Sequence, residues 1–123
     1  IGLSLVGSEM CIRDSLLRIV VPVSETLNVI QKFKNFDANY FLDWGGCLIW
    51  LELEKVNLKI LRDIKEIAQE HFGYCTIIKV EEDLKASADI FTIDPIKYKI
   101  SEKIKKSFDP KRIFNPGKMY SGI

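Results

Sequence analysis

The stretch from Asn57 to Phe72 constrains the fold more than any other part of this chain. Ile60, Leu61, Ile64, Ile67, Ala68 and His71 recur there at i, i+3, i+4 and i+7, the spacing that gathers apolar side chains on one face of an α-helix. The runs on either side are of another kind. CLIWLEL, starting at Cys47, and YCTIIKV, starting at Tyr74, are short, rich in aromatic and branched residues, and preceded by Gly45, Gly46 and Gly73, as strands commonly are. In CLIWLEL, alternation puts Cys47, Ile49, Leu51 and Leu53 on one face and Leu48, Trp50 and Glu52 on the other, and the first is the better core face. A one-faced helix between two such strands has to pack on the sheet they form, which predicts a layered α+β domain.

The elements upstream extend the pattern. LLRIVVPV predicts a strand from about Leu17 to Val23, Ser24 offers an N-cap, and Thr26, Val29, Ile30, Phe33 and Phe36 predict a helix from Glu25 to about Phe36. Tyr40 to Asp43 forms another short strand, joined to CLIWLEL by the glycine pair. The resulting order, βαββαβ, is that of the ferredoxin-like unit, in which two helices cover one face of a four-stranded antiparallel sheet. From Glu81 to Phe91 the pattern lapses. Asp94 then caps a third helix with Pro95 in its first turn and Ile96, Ile100, Ile104 and Phe108 as its stripe, ending near Asp109 and Pro110 before a turn-rich tail.

The opening IGLSLVGSEMCIRDS lacks the basic start and small-residue cleavage site of a secretory signal and follows no period. It resembles a translated sequencing-adapter segment. The expected layout is therefore a non-native leader over residues 1–15, a ferredoxin-like cap over 16–94, and a C-terminal helix and tail over 95–123, with a longer natural chain upstream.

The remaining composition narrows the function. A chain of 123 residues, 47% hydrophobic and 28% charged, can bury a core without metal or disulfide, but is too short for an enzyme with separate cofactor and substrate domains. No apolar run reaches the ~20 residues of a membrane span. A formal charge of +1 argues against general polyanion binding, although eight Lys or Arg against Glu102 and Asp109 make residues 95–123 locally basic at +6. Cys11, Cys47 and Cys75 show no CxxC spacing, which points away from a disulfide framework, zinc or an iron–sulfur cluster and towards a reduced, cytoplasmic setting. P-loop, GxGxxG, HExxH and GxSxG signatures are all missing. The single histidine, His71, falls on the apolar side of its helix, so a packed role is expected, and no catalytic residue is assigned.

Two segments stand apart. Asp43, Trp44, Gly45 and Gly46 join two strands with a large flat ring and two permissive glycines. In SFDPKRIFNPGKMY, Asp109–Pro110 and Asn115–Pro116 bracket Ile113 and Phe114, and Gly117 frees the backbone, leaving Asn115 and Lys118 to present an amide and a cation.

That tail resembles the D-P-x-x-I-x-N-P-G-K/R-x-Y ending of FAD-linked oxidases of the vanillyl-alcohol oxidase type. Together with DWGG and GYCTIIK, residues 16 to 123 are similar to the C-terminal half of the FAD-binding E subunit family of bacterial glycolate oxidases. The resemblance implies an upstream FAD domain that holds most of the flavin, a cap that closes over the isoalloxazine, and Asn115, Pro116, Gly117 and Lys118 beside it. It further implies oxidation of a small 2-hydroxy acid such as glycolate, and assembly with a second flavin subunit and an iron–sulfur subunit, through which the complex would reach a membrane. One departure is plain: the family's G-G-H-A-T with a following arginine is here Phe72, Gly73, Tyr74, Cys75 and Thr76 with Lys79, so no histidine role carries over to Tyr74, and an arginine contact is reduced to the less directional Lys79. The alternative is a free-standing ferredoxin-like module for RNA or a small ligand. Against RNA, CLIWLEL lacks the basic and paired-aromatic pattern that stacks bases.

Overall fold

The computed structural model describes residues 15–120 and 122–123. The leader expected over residues 1–15 thus lies outside the described residues except for Ser15, which is buried and opens the first strand. Strand β1 (Ser15–Val20) leads through a single 3-10 turn into helix α1 (Thr26–Phe33). Then come β2 (Ala38–Asp43), β3 (Leu48–Leu53), α2 (Leu58–Glu70), β4 (Tyr74–Lys79), a one-turn helix α3 (Glu82–Lys85) and α4 (Pro95–Phe108). The strands form one antiparallel sheet in the order β2-β3-β1-β4, the ferredoxin-like arrangement, extended by α4 and the tail.

Helices α1 and α2 lie on the same face of the sheet. Val29, Ile30 and Phe33 from α1 and Leu61, Ile64 and Ala68 from α2 pack with Leu17, Ile19, Ile49, Leu51, Leu53, Cys75 and Ile77 in one buried cluster. The alternation read in CLIWLEL holds, since Ile49, Leu51 and Leu53 face the helices.

Some boundaries differ, each for a local reason. β1 starts two residues early and stops at Val20, because Pro22 has no N–H to donate and the chain turns at Val23–Glu25. Ser24 makes no cap, and α1 begins without a side-chain cap; Thr26 instead donates from Oγ1 to the Gly46 carbonyl at 2.6 Å, tying the start of α1 to the β2–β3 turn. Helix α1 ends at Phe33, and Phe36 follows in a turn with its ring edge-on to Phe33.

At the end of α2 the left-handed residue is Phe72 (φ 59°), not the glycine beside it. Gly73 donates to the Ala68 carbonyl at 2.7 Å, the outer bond of a Schellman ending. What requires glycine there is space: a Cβ would lie 2.4 Å from the Val20 carbonyl oxygen and 2.4 Å from Val21 Cγ1. This close approach is what brings α2 back against β1 and starts β4.

The segment 81–91, patternless in sequence, contains α3 and then pairs with the outer edge of β4, where Thr76 bridges Phe91 and Ile77 donates to the Ile90 carbonyl. Helix α4 is capped as expected, with Asp94 Oδ1 accepting from the Ile96 and Lys97 amides. Its stripe is another matter: Ile96, Ile100, Ile104 and Phe108 are all exposed. No helix among the described residues is long and apolar enough to cross a membrane.

Candidate functional site

The tail is organised by one carboxylate. Asp109, buried at the end of α4, accepts from the Ile113 and Phe114 amides at 2.9 Å each and pairs with Lys105 at 2.8 Å. Lys105 and these two amides hold the Asp109 carboxyl down to about 2. Lys105 also donates to the Phe114 carbonyl, and Arg112 to that of Gly122 at 2.7 Å. Arg112, Asn115 and Gly117 all take positive φ, which folds six residues into successive reversals.

Asn115, Pro116, Gly117 and Lys118 therefore lie together in one exposed turn, closed by the Lys118 amide donating to the Asn115 carbonyl at 3.3 Å. Nothing lies within 4 Å of where a Gly117 side chain would begin. Tyr120 rests on Phe91 and Tyr98, each ring pair 6.1 Å apart, and a cleft of about 210 Å³ separates Gly117–Met119 from Lys85–Ile90. The turn thus sits beside the β4 edge of the sheet.

The DWGG segment occupies the opposite side, where β2 meets β3. Asp43 Oδ1 accepts from the Trp44 amide at 2.8 Å, and three consecutive residues take positive φ: Trp44 at 52°, Gly45 at 65° and Gly46 at 98°. The glycines accommodate this freely, whereas a tryptophan held there carries strain of about 1–3 kcal/mol. The turn holds Trp44 with 59% of its surface exposed, and the Arg18 guanidinium stands 5.0 Å over its ring. The two sequence-derived segments are consequently not one site; they flank the sheet on different edges.

Between them lies the sheet face turned away from the helices. Thr76, Arg18, Trp50 and Phe41 are direct cross-strand partners in β4, β1, β3 and β2, forming one row across the whole sheet. Phe41 and Trp50 stack at 6.1 Å with 18° between their planes. Sequence reasoning passed over Arg18 and Phe41. Alternation in β1 places Arg18 opposite the core-facing Leu17 and Ile19, a signal that was readable, but the register joining it to Trp50 and Phe41 belongs to the folded sheet alone.

His71 is more than a packed ring. Its Nδ1 lies 2.6 Å from Glu25 Oε2, and since a carboxylate only accepts, Nδ1 carries the hydrogen. The His71 ring, helped by the Asn28 amide, holds the Glu25 carboxyl below its usual range. Nε2 is buried without a partner among the described residues. With Lys32–Glu70 at 2.8 Å, this pair clasps α1 to α2. Burial pushes the Cys75 thiol up to about 12, which makes it a poor nucleophile. Among the described residues no group of three or more His, Cys, Asp or Glu side chains is placed to hold a metal ion.

Residues 91–119 match the family model of FAD linked oxidases, C-terminal domain. The match covers α4 and the turn through Met119 and supports a likeness to the FAD-linked oxidases over that segment. Comparison with curated proteins and with solved structures returned no match.

The described residues fit one margin of a flavin site. The turn offers an amide, a cation and open space beside Gly117, whose own N–H is donated to the Ile123 carbonyl. At the start of α4 the Ile96 and Lys97 amides are engaged by Asp94, and at the start of α2 the Ile60 amide by Asn57.

Proposed function

We propose that this chain is the C-terminal portion of a flavin-dependent 2-hydroxy-acid oxidoreductase, with glycolate or a close relative as substrate. In this reading the cap closes over the flavin, Asn115 through Lys118 contact it, and the exposed stripe of α4 returns to an FAD-binding domain. A second flavin subunit and an iron–sulfur subunit complete the assembly in the cytoplasm. One observation carries the reading: the matched segment contains the turn that Asp109 builds and that exposes Asn115 and Lys118.

The flavin supplies the two-electron acceptor; this chain's residues would supply position and charge. The Asn115 amide would hydrogen-bond the flavin margin, and Lys118 would place a positive charge beside an anionic group. In the protein that includes the FAD domain, Asn115→Ala is expected to lower flavin content or slow flavin reduction, with the melting of the cap nearly unchanged. Normal flavin content with a normal reduction rate would overturn the assignment of Asn115. The chain alone is expected to show no saturable binding of FAD by flavin fluorescence, since it holds one margin of the site. The coding sequence upstream of Leu16 tests the reading as a whole, because an in-frame flavin-binding domain is required there.

A further inference from the structure

A cleft of about 210 Å³ separates α2 from the segment that follows α3, and the function proposed above uses none of its residues. Leu61, Arg62 and Lys65 line its α2 side, and Ser87, Ala88 and Asp89 line the other. Sites for drug-sized ligands begin at roughly 300 Å³, so this one suits a molecule of a few carbon atoms.

Lys65 sets the chemistry of the cleft. It is half-buried, and its Nζ donates to the Asp89 backbone carbonyl, which pins the amine at the cleft wall. Burial pushes the Lys65 ammonium below its usual pKa, with Cys75 and Asp89 pulling the other way. Desolvation therefore favours the neutral amine, the form that is a nucleophile. Arg62 stands one turn away on the same flank of α2. Among the described residues its guanidinium makes no ion pair and no hydrogen bond, so a permanent cation remains beside the amine without a counter-charge of its own. An amine that readily loses its proton, a neighbouring fixed cation and a small cavity are together suited to a ligand with a carbonyl at one end and a carboxylate at the other.

We propose that this cleft binds small 2-oxo acids, held by Lys65 as a reversible imine. Arg62 attracts the carboxylate, and the Lys65 nitrogen adds to the carbonyl carbon. The C=O bond gives way to C=N, and the carbonyl oxygen leaves as water with the two hydrogens of the amine. No electrons change hands. Oxidation of a 2-hydroxy acid yields a 2-oxo acid, so the function proposed above would supply such a ligand, but the site does not rest on it.

The test uses the chain as it stands. Glyoxylate with cyanoborohydride turns each imine into a stable carboxymethyl-lysine, which peptide mass mapping assigns to its residue. At neutral pH Lys65 is expected to react at least tenfold faster than the exposed Lys55 and Lys111, at a rate that saturates with glyoxylate. Its reaction should also persist to lower pH than theirs. Propanal, a carbonyl compound without a carboxylate, should show at least fivefold less preference for Lys65. Arg62→Gln should bring the glyoxylate preference down to that of propanal with an unchanged melting temperature, and unfolding in urea should abolish it.

Reaction of Lys65 no faster than of Lys111, a rate that never saturates, or a preference that survives urea overturns the proposal. Equal selectivity for propanal and glyoxylate overturns it as well, as does an Arg62→Gln variant that reacts like the parent chain. Flavin content in the protein with its FAD domain judges the other reading, and Lys65→Arg is expected to leave that content unchanged while removing the adduct. Failure of either reading thus leaves the other standing.

Discussion

Helices α2 and α4 are written with the same kind of apolar repeat, yet Leu61, Ile64 and Ala68 of α2 are buried, whereas Ile96, Ile100, Ile104 and Phe108 of α4 all face solvent. The difference lies in how each helix is attached. Helix α2 leaves β3 by a short connection and returns through Gly73, whose missing side chain lets the chain pass against Val20 and Val21. It is also clasped to α1 by His71–Glu25 and Lys32–Glu70. Helix α4 is held locally, by the Asp94 cap, by Glu102–Lys106 and Lys105–Asp109, and by the Tyr98–Tyr120–Phe91 rings at the sheet edge. An apolar repeat specifies a helix and a face; what covers that face depends on the connections that deliver the helix.

The contrast is most severely tested at Gly73. Gly73→Ala sets a methyl against a backbone carbonyl 2.4 Å away, where no flexible side chain can yield, and should cost about 3 kcal/mol or more in urea unfolding. Ile64→Ala, at a fully buried position, should cost about 2–5 kcal/mol in the same measurement. An Ile64→Ala loss below about 1 kcal/mol would mean that α2 is not seated as described.

Acid should separate the two regions by a different route. Glu25 and Asp109 both have folded values below those of the unfolded chain, so each contributes stability that is complete above about pH 4.5 and is lost as the pH falls through its folded value. For Asp109 that loss runs from about pH 4 down to about pH 2, and it should appear as faster exchange of the Ile113 and Phe114 amides, ahead of any change in β1 or β3. Asp109→Asn should reproduce this local loosening at neutral pH.

Thiol labelling adds a finer contrast within the sheet domain. Cys75 is buried with its thiol pushed up to about 12, while Cys47 is only partly buried, so iodoacetamide at pH 8 should modify Cys47 before Cys75 and leave Cys75 intact until the domain unfolds. The smallest effect belongs to α4. Ile100→Ala in this chain should change stability by no more than about 0.5 kcal/mol, because the side chain is exposed; a larger loss would show that the stripe is covered after all.

By itself the sequence determined the element order, the core-facing residues of β3 and α2, the Asp94 cap and the existence of a reversing tail at Asp109–Pro110 and Asn115–Pro116. These follow from period, capping chemistry and proline, which act within a few residues of one another. Only the tertiary structure decided that Trp44 shares the left-handed turn with its glycines, that Arg18, Trp50 and Phe41 form one row, and that the tail sits at the far edge of the sheet from DWGG. Strand register and edge placement are set by which backbones pair and which faces bury together, and those energies couple residues tens of positions apart that no local pattern relates.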